Sequence, residues 1–305
     1  MKICSISETP QYIRTLLEAW MSTPQAISHS ILTECTSVGV SIDNKIILAK
    51  NRDRTYNPQL KIIREIINGI EACYMYDIDT DYSEGMNEKH VGIVNTTLQG
   101  KEDEKEQKII HKHQKLSADG HKIRNALGHS DVDKIIDLLD LYKRGLGGHT
   151  TVGYKDGFVS IEKIRMGKPT ITKYTKDDII VRTNHGIAYP DQGYQGGTDR
   201  ESSLSRAFHA TKDARAAKKP EELLKMLRTH HNAPGYLEPY RTNYKVWTSS
   251  QILMNLTDLV LIFVVDENAK FLGVENRLPK GYTPKIQIEL YESELEVKTK
   301  RITDE

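Results

Sequence analysis

The stretch that most narrows what this chain can become runs from residue 35 to residue 53, CTSVGVSIDNKIILAKNRD. Thr36, Val38, Val40 and Ile42 alternate with small residues at the period of a β-strand. Asp43-Asn44 tolerates the left-handed backbone of a tight turn, and Ile46-Ile47-Leu48-Ala49 reads as the returning strand. A hairpin of this length carries Asn51, Arg52 and Asp53 back beside Cys35. A thiol and a carboxylate then stand at the same end of one sheet, the pair a nucleophilic cysteine needs if its proton is to be managed. Cys35 therefore reads as a nucleophile made N-terminal by removal of the residues before it. Its own α-amine, with a reference pKa of about 7.7–8.0, then serves as the base.

The rest of the chain supports one domain built around that hairpin. Residues 1–34 read as a separable extension, with Ile13, Leu16, Leu17 and Trp20 at helical spacing before Pro24; residues 35–305 form the domain proper. Strand-like segments follow near 60–67 and 70–77. A turn at Gly85–Lys89 then leads into a strand through Val91, Ile93 and Asn95. Residues 100–115 are densely charged and read as exposed. Ser130 is placed to cap a helix whose apolar face is Val132, Ile135, Ile136, Leu139 and Tyr142. A hairpin turning at Asp156-Gly157, two short strands (169–175 and 179–183), helices over 201–217 and 220–229, and four strands between 244 and 292 complete the order. Strands, helices, strands, helices, strands in that order suit an α+β domain in which helices cover two antiparallel sheets.

Composition excludes several classes of function. The 43 basic and 42 acidic residues leave a formal net charge of +1, so no global field points to nucleic acid or an anionic membrane surface. No apolar run approaches the roughly 20 residues a membrane helix needs. Three cysteines do not make a disulfide framework, and no export address is visible, so a cytoplasmic, reducing setting is the expectation. His111, His113, His121, His149, His185, His230 and His231 are not accompanied by H-E-x-x-H or paired C-x-x-C, so no metal or other cofactor is assigned. Gly193–Gly197 lacks the strand–GK[ST]–helix context of a phosphate cradle; it reads as a loop that could gate a substrate.

Six short motifs then occur in one order: Cys35-Thr36-Ser37, Asn51-Arg52-Asp53, Gly85-Met86-Asn87-Glu88-Lys89, Asn95, Thr183-Asn184-His185 and Ser202-Ser203-Leu204-Ser205-Arg206. With Val246-Trp247-Thr248-Ser249 near the end, this set resembles the choloylglycine hydrolase group of N-terminal-nucleophile cysteine hydrolases. The group includes penicillin V acylases and bile salt hydrolases, and is related to isopenicillin N acyltransferases and acid ceramidases. The resemblance spans about residues 35–265. It implies a four-layer αββα sandwich and hydrolysis of a linear amide in a small N-acyl compound through a thioester, without metal or cofactor. By the same resemblance Cys35 is nucleophile and base, Asp53 holds the freed amine, and Asn95 takes the oxyanion-hole position. Asn184 contacts the nucleophile, Arg206 fixes the active-site network, and Thr36 and Asn51 support it. A homo-oligomer is an expectation at family level only.

One departure stands out. Bile salt hydrolases read R-N-x-D, whereas Lys50 occupies the arginine position here and Arg52 stands directly before Asp53. That departure, with the 34 residues ahead of Cys35, moves the resemblance toward the branch that cuts an internal propeptide, here between Glu34 and Cys35. Three readings stay open: an amidase or acyltransferase, a self-cleaving structural protein without turnover, and an uncleaved binding protein.

Overall fold

The computed structural model describes residues 34–98, 118–140, 147–163, 168–190, 197–229, 237, 239–241, 246–292 and 300–301. The segments read as a helix over 10–21 and as a charged stretch over 100–115, and all but the last residue of the 193–197 loop, lie outside the described residues.

The opening hairpin forms as its sequence dictates. Strand β1 (Glu34–Ile42) pairs antiparallel with β2 (Lys45–Arg54), and the two-residue turn has positive φ at both Asp43 (52°) and Asn44 (58°). That turn twists in the sense of the flanking strands, and Asp and Asn are among the few residues that adopt it cheaply. The same device recurs at Asn68 and Gly69, joining β3 (Gln59–Ile67) to β4 (Ile70–Asp77). The chain continues through β5 (Tyr82–Asn87), β6 (Gly92–Thr96), helices α1 (Ala118–Leu127) and α2 (Val132–Asp140), β7 (Gly148–Tyr154), β8 (Gly157–Lys163), β9 (Thr170–Thr175) and β10 (Ile180–Arg182). Helices α3 (Gly197–Ala216) and α4 (Pro220–Met226) precede β11 (Trp247–Asn255), β12 (Val260–Val265), β13 (Lys270–Asn276), β14 (Gln287–Glu292) and β15 (Lys300–Arg301).

These strands form two sheets. One has seven strands in the order β10-β1-β2-β11-β12-β14-β15; the other has eight in the order β13-β3-β4-β5-β6-β7-β8-β9. Ile46, Leu48, Met254 and Phe263 from the first sheet meet Leu60, Ile62, Met75 and Phe158 from the second in a common core between them. The outer face of the eight-stranded sheet packs on Ile123, Leu127, Ile135 and Leu139 of α1 and α2. The outer face of the seven-stranded sheet, through Val38, Val40, Ile47 and Ala49, packs on Ala210 and Ala214 of α3 and Leu223 and Leu224 of α4. Helix, sheet, sheet and helix make the expected four-layer αββα sandwich. Among the described residues no helix is long and apolar enough to cross a membrane.

The structure corrects the sequence reading in several places. The sheets are not purely antiparallel, because β12 runs parallel to β14 and β13 parallel to β3. The chain leaves the first sheet at β13, adds to the edge of the second and returns at β14, and a strand that returns after such an excursion runs parallel to the one it left. Helix α1 has no strong apolar period and was not anticipated. Its neighbour α2 is capped by Asp131, whose Oδ1 accepts from the backbone N–H groups of Asp133 (2.9 Å) and Lys134 (3.2 Å), rather than by Ser130. Gly85-Met86-Asn87 is strand, not turn, and the turn falls at Glu88–His90.

Gly85 is required there by close approach. A Cβ at that position would stand 2.3 Å from the Cys73 carbonyl oxygen and 2.4 Å from Tyr74 Cβ, on the strand paired with it. Gly85→Ala is expected to destabilise the protein by about 2–3 kcal/mol, as overpacking in a filled sheet does. Urea denaturation checks this, and an unchanged midpoint would contradict it.

Candidate active site

Strand parity sorts the side chains of the first hairpin. Ile46 and Leu48 of β2 belong to the core between the sheets, whereas Ile47 and Ala49 belong to the α3/α4 side. Continuing the alternation along β2 puts Lys50, Arg52 and Arg54 toward the inter-sheet side and Asn51 and Asp53 toward the helices. On β1, Val38 and Val40 face the helices, so Glu34 and Thr36 do likewise and Cys35 points between the sheets.

Cys35 lies opposite Arg52, and Glu34 opposite Asp53, in the β1–β2 register. The thiol is 1% exposed. Its main chain is gripped on both sides: its N–H donates to Asn184 Oδ1 (3.2 Å), and its carbonyl oxygen accepts from Arg206 Nη1 (2.7 Å). Arg54 Nη1 reaches Cys35 Sγ at 3.7 Å, placing a guanidinium where negative charge on sulfur would be stabilised.

Arg206 reaches the hairpin because of its place on α3. Ser203, Arg206, Ala210, Ala214 and Ala217 recur at three- and four-residue steps, one helical stripe. The three alanines pack on the hairpin strands, and small side chains there let the helix lie close to β1. Arg206 is fully buried. Besides Cys35 it donates to Thr36 Oγ1 (3.1 Å), Glu34 Oε2 (2.9 Å) and Asn184 Oδ1 (2.9 Å), and it stands 3.9 Å from Asp53 Oδ2. Ser203 anchors the segment after β10: the Asn184 N–H donates to Ser203 Oγ (2.8 Å), and Thr183 Oγ1 donates to the Ser203 carbonyl (2.9 Å). Asn184 Nδ2 donates to the Thr97 carbonyl (2.7 Å), which fixes the amide so that its oxygen faces Cys35.

Asp53 accepts a hydrogen bond from Thr248 Oγ1 (2.7 Å), while its Oδ2 accepts none from any described residue. Burial pushes its pKa up from 3.8 to about 6, against the opposing pull of Arg206 and of the Thr248 hydroxyl. The carboxyl is thus poised between its two forms near neutral pH.

Four of the five residues expected in the site, Cys35, Asp53, Asn184 and Arg206, are therefore brought together. Asn95 is not among them. Its Nδ2 donates to Thr150 Oγ1 (3.0 Å) on the paired strand. Its neighbours alternate, with Ile93 toward α1 and α2 and Val94 in the inter-sheet core. By that parity Asn95 faces the helices and Thr96 faces the gap where Cys35 points. Of the supporting residues, Thr36 touches Arg206. Asn51 instead ties the end of α4 to β2, donating to the Leu227 (3.0 Å) and Pro239 (2.7 Å) carbonyls and accepting from Gln251 (2.6 Å).

Two participants went unread in the sequence. Arg54 supplies the cation beside the thiol, whereas Lys50, at the position of the family's arginine, is taken up by Glu84 at 2.5 Å. Parity along β2 carried this signal, since Lys50, Arg52 and Arg54 share the face of the Cys35 side chain. Glu34 is the other. It is 1% exposed and ion-paired with both Arg206 and Arg241. Nothing local in the sequence marks partners so far along the chain.

His149 and His185 do not contribute a base here. Burial pushes His149 and His185 down to about 3, and both serve as hydrogen-bond partners, His149 to the His185 carbonyl (2.9 Å) and His185 to Ser203 Oγ (2.9 Å). Among the described residues no group of three potential ligands is arranged to hold a metal ion. Cys73 sits in the inter-sheet core with its thiol pushed up to about 12 by burial, so it stays protonated.

This architecture is the N-terminal-nucleophile hydrolase fold, an αββα sandwich with the candidate nucleophile near the start of the first hairpin. No family model and no curated protein matches the sequence. Among solved structures, the chain is similar to the N-acylethanolamine-hydrolyzing acid amidase ortholog of Caenorhabditis elegans. The two share a TM-score of 0.55 at 14% identity, over 73% of this chain and 93% of that one. It also matches penicillin V acylase from Agrobacterium tumefaciens at a TM-score of 0.45 and 12% identity, over 76% of this chain and 86% of that one.

The raised pKa of Asp53 carries a sign. The folded state binds this proton more tightly than the unfolded chain between pH 3.8 and about 6, so stability from this group falls across that window as pH rises. The full effect is roughly 3 kcal/mol at 1.36 kcal/mol per pKa unit. In a Cys35→Ala background, adding Asp53→Asn removes that loss. The double variant should gain about 2–3 kcal/mol on its parent between about pH 4 and pH 7 in urea titrations. A difference independent of pH would contradict the assignment.

Proposed function

We propose that this chain is a cysteine amidase of the choloylglycine hydrolase type that cuts itself between Glu34 and Cys35 and then hydrolyses the linear amide of a small N-acyl compound. One observation carries the reading. A single buried cysteine has its N–H held by Asn184, its carbonyl held by Arg206 and its sulfur beside Arg54. Packing alone does not require that a guanidinium beside the sulfur, a buried carboxylate across the strand pair and a buried amide converge on one cysteine.

In the first reaction Cys35 Sγ attacks the Glu34 carbonyl carbon. The C–S bond forms, the C–N bond breaks, and the thiol proton passes to the departing nitrogen, which becomes the α-amine of Cys35. Water then cleaves the thioester, releasing residues 1–34 as a propeptide with Glu34 at its new carboxyl end. In the second reaction that amine takes the thiol proton as sulfur attacks the substrate's acyl carbon, and returns it to the leaving amine. Water, deprotonated by the same amine, frees the acid.

The site supports each role. Asn184 Oδ1, already accepting from the Cys35 nitrogen, keeps that role when the nitrogen becomes an amine. Asp53, across the strand pair from Glu34, has an oxygen available to the same amine. Arg54 stabilises charge on sulfur and takes the place assigned by resemblance to an arginine at position 50. The fold shared with the N-acylethanolamine-hydrolyzing acid amidase ortholog of C. elegans agrees with amide chemistry.

The intact mass of purified protein tests the first reaction. Wild type should begin at Cys35 while Cys35→Ala keeps Met1. A wild type that retains residues 1–34 would refute the mechanism, because no free amine would exist. For the second, wild type should hydrolyse N-acyl p-nitroanilides, Cys35→Ala should not, and Arg54→Gln should lose about 10²-fold in kcat/KM, the scale of removing one charge-stabilising donor. Arg54→Gln activity equal to wild type would remove that residue from the mechanism.

A further inference from the structure

The geometry points to a substrate whose acyl group ends in a carboxylate, bound by Arg241 and Arg206 at the place that the Glu34 side chain fills before cleavage. The inference rests on the self-cleaving amidase reading and specifies its substrate class.

Glu34 is the residue whose carbonyl Cys35 first acylates itself with, so the uncut chain holds an acyl donor already docked. Its side-chain carboxylate is buried against two guanidiniums, accepting from Arg206 Nη2 (2.9 Å) and pairing with Arg241 Nη1. Arg206 is needed for Cys35 itself, through the Cys35 carbonyl and Asn184. Among the described residues Glu34 is the carboxylate that Arg241 meets.

Arg241 is also held independently of Glu34. Its N–H donates to Thr248 Oγ1 (2.8 Å), and its carbonyl accepts from the Thr248 N–H (3.0 Å). Thr248 is itself fixed by β11 and by its hydroxyl donation to Asp53. These bonds hold the Arg241 main chain, so when Glu34 departs with the propeptide the residue stays beside the place that a carboxylate has left; in the uncut chain it is 5% exposed. A buried cation without a counter-charge is costly, and a bidentate donor such as arginine suits a carboxylate. The amine that cleavage creates cannot relieve it, because an amine supplies no negative charge.

The length of the acyl group follows from the covalent structure of glutamate. Three carbons (Cα, Cβ and Cγ) separate the Glu34 carbonyl from its side-chain carboxylate. The thioester formed during self-cleavage is thus a substituted glutaryl thioester. A substrate that repeats this spacing puts its carbonyl at Cys35 and its carboxylate on Arg241, with the bond to the leaving amine in the place of the Glu34–Cys35 peptide.

The test compares two amides of equal chain length on protein shown by mass to begin at Cys35. Glutaryl p-nitroanilide carries the terminal carboxylate, and pentanoyl p-nitroanilide carries a methyl group instead. Wild type should favour the glutaryl compound by at least tenfold in kcat/KM, mainly through KM. Arg241→Gln should bring the ratio toward one, and Arg241→Lys should restore part of it. Calorimetric titration with free glutarate gives a second readout: binding to mature wild type, and loss of binding in Arg241→Gln. Equal or better turnover of the pentanoyl compound by wild type would overturn the carboxylate site and leave the amidase reading standing. A protein that retains residues 1–34 would overturn both. If mature protein turns over neither amide, glutarate binding that depends on Arg241 supports the site, and its absence overturns it.

Discussion

The guanidinium of Arg206 is the interaction on which the site depends. It joins α3 to the first hairpin and to the segment after β10, donating to Glu34, Cys35, Thr36 and Asn184. A fully buried arginine is tolerable only when its donors are met by oppositely charged or carbonyl oxygens, and removing any partner exposes the remaining cost. Its rigid planar fork reaches several acceptors at once, which the point charge of a lysine does not do. The alanines on the same stripe of α3 bring the helix near enough for a single side chain to span the gap. Packing and chemistry are therefore one requirement here.

A second buried charge system lies on the other face of the hairpin. Arg52 pairs with Asp77 (2.5 Å), Lys50 with Glu84 (2.5 Å), and both cations stand over the Tyr82 ring. Replacing such pairs with apolar residues of similar volume is often neutral or stabilising, so stability alone does not account for them. They lie between the sheets, on the side to which the Cys35 thiol points, and make that side of the site polar. With Lys50 and Arg52 engaged by carboxylates of the opposite sheet, Arg54 is the cation of this strand that meets sulfur.

What the sequence disclosed follows from the range of the interactions involved. The hairpin was legible because alternation and a two-residue turn are local properties, and the structure matches it from Cys35 to Asp53. Asn184 and Arg206 were legible only through ordered motifs, since 149 residues separate Asn184 from Cys35 and 171 separate Arg206 from it. Asn95 shows the limit. Its place in the site was implied by resemblance alone, whereas the face it takes follows the alternation of Val91 and Ile93 toward the helices. Gly85 itself looked like a turn residue because glycine is common there, whereas its role is the close approach of two paired strands. The parallel pairings of β13 and β14 were invisible because no local pattern records which sheet a strand joins.

The two faces of the hairpin also divide the chemistry in time. On the inter-sheet face Cys35 Sγ and Arg54 are in place in the uncut chain, and nothing about them requires residues 1–34 to leave. On the helix face Glu34 occupies the guanidiniums, and the nitrogen of Cys35 is still an amide that cannot serve as a base. In the proposed reaction, breaking the Glu34–Cys35 bond would alter this second face only, creating the base and uncovering Arg241 in the same step. Because Arg206 holds both Glu34 and Cys35, the scaffold that aligns the first acyl group would be retained for every later one. On that reading the first substrate of the site is its own chain, and its shape is written in the residue that precedes the proposed nucleophile.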